Sequence, residues 1–261
     1  MARIWTLAAL ILALWISGTL SLPDDSPPHS FLLLGAGGRI DTLTIDLHPL
    51  GGELPPCRSL ALGTGGAVLL ATEEGNLLLV DEEGERSLGG SLPAGSWPEA
   101  VAEGGVDWWI LHRQGREILR LGRRGELLAT LRTPEGFWSR MDLSPSGRIW
   151  LSDSQGERFV ALGRGGQLLL DWNPASRIPG YRAIGPLWSA DESGGLLLLD
   201  GNRVYRLNAA GNLQERWTLP ANCDPVGLLP LGPGNVLVME AGQDFRDLAY
   251  AAGLHNAECS G

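Results

Sequence analysis

Lysine is absent from this chain: its 20 basic residues are all arginine. A phosphate-binding loop ending in Gly-Lys-Ser/Thr is therefore excluded. Histidine is scarce as well, with four residues, at positions 29, 48, 112 and 255. Only His112 closes an apolar run, and one histidine makes neither a metal centre nor a catalytic triad. No Gly-x-Ser-x-Gly elbow occurs, and no signature of a redox cofactor is present, so no cofactor is expected. The three cysteines, Cys57, Cys223 and Cys259, are too far apart for a zinc pattern.

Positive charge is neither abundant nor clustered. Charged residues make up 19% of the chain, acidic residues outnumber basic ones 30 to 20, and the formal net charge is −10. The longest basic cluster is Arg123-Arg124. Phosphate backbones need clustered cations, so this composition argues against nucleic acid.

Turn formers are abundant. Glycine numbers 37 and proline 17 among 261 residues, with an ordinary hydrophobic fraction of 44%. Residues 1–22 read as a signal peptide or an N-terminal membrane anchor. Arg3 precedes an apolar run over 4–16, and Thr19 and Ser21 satisfy a small-residue rule for cleavage after Ser21. The run extends to about Leu22, near the lower limit for a membrane span. Either outcome predicts an extracytoplasmic protein: secreted, periplasmic or anchored. Membrane contact would arise only through this segment, if uncleaved. Residues 23–30 read as a proline-bearing tether and 31–261 as the folded domain. An odd cysteine count there implies one free thiol or an intermolecular bond. Cys259 is expected to close a ring by bonding Cys223 or Cys57.

A repeat runs through the domain. Gly84-Glu85, Gly125-Glu126, Gly166-Gln167 and Gly211-Asn212 each separate two apolar runs, at spacings of 41, 41 and 45 residues. In step with them, apolar runs over 67–72, 106–112, 148–153, 196–200 and 236–240 end in Thr72, His112, Asp153, Asp200 and Glu240. A less regular copy covers 31–34. Prolines recur between units, at Pro55-Pro56, Pro93, Pro134, Pro174 and Pro220. Within a unit such as 140–172, four runs of four to seven residues are bounded by Gly, Pro, Ser or Asp, which is the mark of strands. A helix over 116–131 is disfavoured by Gly122 and Gly125, which together would cost it about 2 kcal/mol. Near the C-terminus Phe245, Leu248, Ala249 and Ala252 have helical spacing. Four strands per period of about 40 residues predict a β-propeller. The expected fold is all-β: a six-bladed propeller of four-stranded antiparallel blades, irregular at the N- and C-terminal blades. The chain begins mid-unit, so closure must be shared between the termini or stay incomplete.

The unit Met141-Asp142-Leu143-Ser144-Pro145-Ser146-Gly147-Arg148-Ile149-Trp150-Leu151-Ser152-Asp153-Ser154 resembles an NHL repeat. That resemblance implies that the segments leading into each unit share a face with the turns after each second strand. The lead-in segments supply Trp97, Phe137, Trp138, Tyr181 and Arg182, with Arg140 and Asp224 just inside. The second strands supply His112, Asp153, Asp200 and Glu240. The aromatics either plug spaces between blades or touch a ligand. The acids either cap turns or bind a ligand. The opposite face carries Asp81-Glu82-Glu83, Arg123-Arg124 and Asp191-Glu192, read as solvated. The expected function is a non-catalytic binding or scaffold module offering the aromatic face to a protein, peptide or glycan.

The alternative is metal-dependent hydrolysis. The stretch over 144–153 is similar to a segment of the senescence-marker/gluconolactonase propellers, which hydrolyse lactones on a central divalent cation. Their Pro-Asn-Gly is replaced here by Trp138-Ser139-Arg140, placing a positive charge where that cation would sit.

Overall fold

The computed structural model describes residues 29–35, 39–45, 57–62, 67–72, 74–81, 84–88, 92, 97–182, 187–221, 223, 225–232 and 235–240. The short apolar runs fold as hairpins. In chain order the strands are β1 (His29–Gly35), β2 (Arg39–Ile45), β3 (Cys57–Leu62), β4 (Val68–Thr72), β5 (Leu77–Asp81), β6 (Gly84–Ser87), β7 (Pro98–Glu103), β8 (Asp107–His112), β9 (Glu117–Gly122) and β10 (Leu127–Arg132). They continue as β11 (Arg140–Leu143), β12 (Ile149–Ser152), β13 (Phe159–Leu162), β14 (Leu168–Trp172), β15 (Trp188–Ala190), β16 (Leu196–Asp200), β17 (Arg203–Leu207), β18 (Leu213–Thr218), β19 (Pro225–Gly232) and β20 (Asn235–Glu240).

Four sheets follow chain order: β3–β6, β7–β10, β11–β14 and β15–β18. The fifth has the order β19-β20-β1-β2. The described residues thus hold five four-stranded sheets where six units were expected. The difference lies at the termini. The irregular units at 31–34 and 225–254 are two halves of one sheet, joined by antiparallel pairing of Phe31 with Met239 and Leu34 with Val236. The β1–β2 hairpin covers the edge that β20 would otherwise leave unpaired. The 116–131 segment is the hairpin β9–β10, as its glycines require. The helical spacing noted near the C-terminus lies outside the described residues.

The three-residue turn signal has a common geometry. Gly125 N–H bonds the Gly122 carbonyl, Gly166 that of Gly163, and Gly211 that of Asn208, at 2.8–2.9 Å. Each of these second-partner glycines has a positive φ, between 74° and 89°. These are the conformations glycine adopts without strain.

Burial falls from the second strand outward. β4, β8, β12 and β16 are buried at every position, which is why they read as continuous apolar runs. The outer strands β10, β14 and β18 alternate mainly between exposed and half-buried. The core is a series of layers between adjacent sheets. One holds Leu69, Leu79, Val101, Trp108 and Ile110. The next holds Trp109, Leu111, Trp138, Met141 and Leu151, and the next Trp150, Phe159, Tyr181, Leu198 and Tyr205. A fourth, with Leu199, Trp217, Cys223, Leu228 and Val238, joins the β15–β18 sheet to the terminal one. The innermost strands touch in sequence, β3 to β7, β7 to β11, β11 to β15 and β15 to β19. Polar staples reinforce this line. Ser59 Oγ accepts from the Val101 N–H at 3.0 Å. Asp142 accepts from the Ala190 N–H at 2.7 Å and the Ser189 hydroxyl at 3.0 Å.

Candidate functional site

Strands that run up and down alternately bring each lead-in segment to the same end of its sheet as the turn between second and third strands. Hydrogen bonds also tie the lead-in segment to the same turn of the preceding sheet: Thr133 N–H to the Arg116 carbonyl at 3.1 Å, and Leu219 N–H to that of Asn202 at 2.7 Å. On this lead-in face an aromatic residue from three lead-in segments meets the second turn of the preceding sheet, Trp97 and Tyr181 through their side chains and Trp138 through its backbone. Trp97 lies over Gly75, Trp138 lies against Gly115, and the Tyr181 hydroxyl donates to the Gly156 carbonyl at 2.8 Å.

The Trp138 contact is the tightest. A Cβ at Gly115 would stand 2.0 Å from the Trp138 carbonyl oxygen, and Gly115 has a φ of 76°. Arg113 and Gln114, just before it, also have positive φ, 53° and 59°. Runs of left-handed residues other than glycine are strained and persist only where their surroundings hold them. Here Thr133 Oγ1 donates to the Gly115 carbonyl at 2.7 Å, and the Trp138 indole donates to that of Pro134 at 2.9 Å. The Arg158 guanidinium covers the same indole, 5.0 Å from its centroid.

Trp138 is thereby 2% exposed and Tyr181 is buried: both are packing elements between blades. The neighbouring Phe137 is 70% exposed, and Trp97 is 48% exposed. Around them stand the exposed Arg113, Gln114, Arg116 and Glu135.

His112 is fully buried at the end of β8. Its Nε2 lies 3.4 Å from Glu117 Oε2, yet neither ring nitrogen makes a hydrogen bond. Burial lowers its pKa, with Glu117 pulling the other way and Arg113 adding to the lowering. Glu117 is itself held by Arg113 at 3.0 Å.

Five of the sequence candidates converge beside β12 and β16. Asp153 Oδ1 accepts from the Glu157 N–H at 2.9 Å, and buried Asp200 Oδ2 accepts from the Arg182 N–H at 2.9 Å. Both acids therefore cap backbone. Tyr181 is raised by burial and further by Asp200 and Asp153, while Arg140 lowers it. The half-buried Arg140 is itself lowered by burial, opposed by Tyr181. The Arg182 side chain is exposed. Asp224, Cys259 and the Glu240 side chain lie outside the described residues, and Cys223 is buried.

Sequence reading passed over Asp142, which sits inside the NHL-like motif. Burial raises its pKa, against the lowering effect of its three hydrogen-bond donors. A strand aspartate flanked by Met141 and Leu143 was the only available sign. On the opposite face one reading is corrected. Asp191 is buried with the Arg206 guanidinium, 3.6 Å away, both side chains 6% exposed. Arg206 also pairs with Glu215 at 3.0 Å and lies over Trp217. Arg123 pairs with Glu103 and covers Trp108 at 4.4 Å. Among the described residues no group of three or more His, Cys, Asp or Glu side chains is gathered as a metal would require.

No protein-family model matches the chain, and no curated protein matches it. Solved structures do. A streptogramin B lyase superposes with a TM-score of 0.55 at 18% identity, over 85% of this chain and 78% of its own. The virginiamycin B lyase of Staphylococcus aureus gives 0.53 at 18% identity, over 81% and 71%. A catalytically inactive form of that lyase with quinupristin gives 0.51 at 14% identity, over 84% and 97%. At these identities the likeness shows the fold alone: the chain is a β-propeller.

Proposed function

We propose that this chain is a non-catalytic binding propeller of NHL-like type, exported from the cytoplasm, whose lead-in face takes a protein or peptide. One observation carries the reading. Phe137 stands 70% exposed while the residue after it, Trp138, is locked beneath it. A large ring held outward on a rigid base has no packing role, and aromatic anchors of that kind dominate protein interfaces. Trp97 adds a second exposed ring, and Arg113, Arg116 and Glu135 supply the polar surround. The uncharged N-terminal run supports export.

The test is a peptide library selected on the folded chain, with affinities then measured by calorimetry. Phe137→Ala and Trp97→Ala should each weaken selected peptides about tenfold or more, roughly 1.4 kcal/mol, with the melting temperature unchanged. Selected peptides that bind both variants as they bind the parent would overturn the assignment.

A further inference from the structure

Strand topology says where the N-terminus joins the fold. β20 runs antiparallel to β19 and ends on the lead-in face, and β1 begins beside that end, with Phe31 opposite Met239. His29, the first residue of β1, pairs with Ile45, from which the chain leads on to β3. The N-terminal segment therefore enters on the face that carries Trp97 and Phe137.

An uncharged run lies close before β1. Residues 4–23 carry no charged side chain, and Arg3 and Asp24-Asp25 bracket them. About 20 such residues suffice to cross a bilayer. Arg3 lies before the span and the next arginine is Arg39, so the bias of positive charge orients the chain with the folded domain outside. Only residues 24–28 then separate the span from His29, a reach of about 17 Å when fully extended. Strands of five to seven residues are about 20 Å long, so the two faces of the propeller stand at clearly different heights.

Building on the binding role assigned above, we propose that residues 4–23 remain attached and hold the lead-in face toward the bilayer. The partner of that face is then the membrane-proximal segment of an integral membrane protein. Beside β1 the gap to the bilayer is no wider than this tether, which favours a partner already held at the membrane over a soluble one.

The experiment uses the full chain in nanodiscs. A fluorescent amino acid replaces Gln114, exposed on the lead-in face, or Ser146, exposed on the opposite one. Energy transfer to headgroup-labelled lipid is read for each. Transfer should be several-fold stronger from position 114. Equal or reversed transfer overturns the orientation, as does a mass spectrum showing that the membrane-associated chain starts at Leu22. In native membranes, Phe137→p-benzoylphenylalanine should crosslink within about 20 residues of another protein's membrane span. If the transfer order holds but position 137 captures only lipid or only soluble proteins, the partner assignment fails while the orientation stands. If selected peptides bind the Phe137→Ala variant normally, the binding role itself fails, whatever the orientation.

Discussion

Replacing Trp138 with alanine removes an indole that is 2% exposed and packed with Met141, Leu143, Ile149 and Leu151. It also removes the bond from the indole to the Pro134 carbonyl and the surface that Arg158 covers. Truncations of this size in a core cost about 3–5 kcal/mol, the higher end applying where the site cannot collapse. Collapse is hindered here, because Trp138 backbone already presses on Gly115 and the strained turn around it. For a domain of this size each kcal/mol lowers the melting temperature by about 2–4 °C, so the loss should be about 6–20 °C. Phe137→Ala, one residue earlier, removes a ring that is 70% exposed and should change stability by no more than about 0.5 kcal/mol.

Urea unfolding followed by circular dichroism separates the two. The midpoint should fall for Trp138→Ala with little change in slope and stay put for Phe137→Ala. Binding should show the reverse dependence: Phe137→Ala loses affinity in a fully folded chain. A Trp138→Ala cost under about 1 kcal/mol, or equal costs for the two variants, would refute the division of this segment into an anchor and a contact residue.

Arg206→Met leaves Asp191 buried without its guanidinium and should cost about 3–5 kcal/mol by urea unfolding; a cost under about 1 kcal/mol would show that the pair is effectively solvated. His112 binds its proton less readily folded than unfolded, so its contribution is fully present above about pH 6.5 and is lost as pH falls below that toward its lowered folded value. His112→Leu should therefore flatten the fall in unfolding free energy between pH 7 and 5, and an unchanged slope would rule out this residue as a source. Tyr181→Phe removes the bond to the Gly156 carbonyl and should lower stability by about 1 kcal/mol, readable as a melting point a few degrees lower.

The fold was legible because each unit repeats the same local chemistry. Glycines at 125, 166 and 211 sit where a left-handed turn residue is required. The buried second strands read as apolar runs because both of their faces are covered. The blade count was not legible, since a unit split between the two ends of a chain looks like two frayed units. Pairing of Phe31 with Met239 is a contact over more than 200 residues, and no local pattern encodes it. At the candidate site the acids behaved as strand-end acids ordinarily do, capping backbone at Glu157 and Arg182. What sequence could not separate was Phe137 from Trp138. Adjacent aromatics in a loop are equivalent on paper, and only the register against Gly115 decides which is buried. Asp191 misled for a related reason: its partner Arg206 lies 15 residues away, on a strand whose inward face was not known.

The same device thus recurs three times with different outcomes, and the differences locate the exposed aromatic surface. Trp97, Trp138 and Tyr181 each cover a turn of the preceding sheet, yet they are 48%, 2% and 8% exposed. At Tyr181 the seal is complete and the neighbouring carboxylates are engaged with backbone, so that corner offers a partner little beyond the Arg182 side chain. Toward Trp97 the seal is partial, and at Trp138 the exposed ring is displaced by one residue onto Phe137. The accessible aromatic surface therefore runs along the β3–β6 and β7–β10 sheets and the segment leading into β11. An affinity map centred on Tyr181, Asp153 and Asp200, with Trp97 and Phe137 silent, would show that the repeated aromatic serves packing alone and that the partner reads the face by charge.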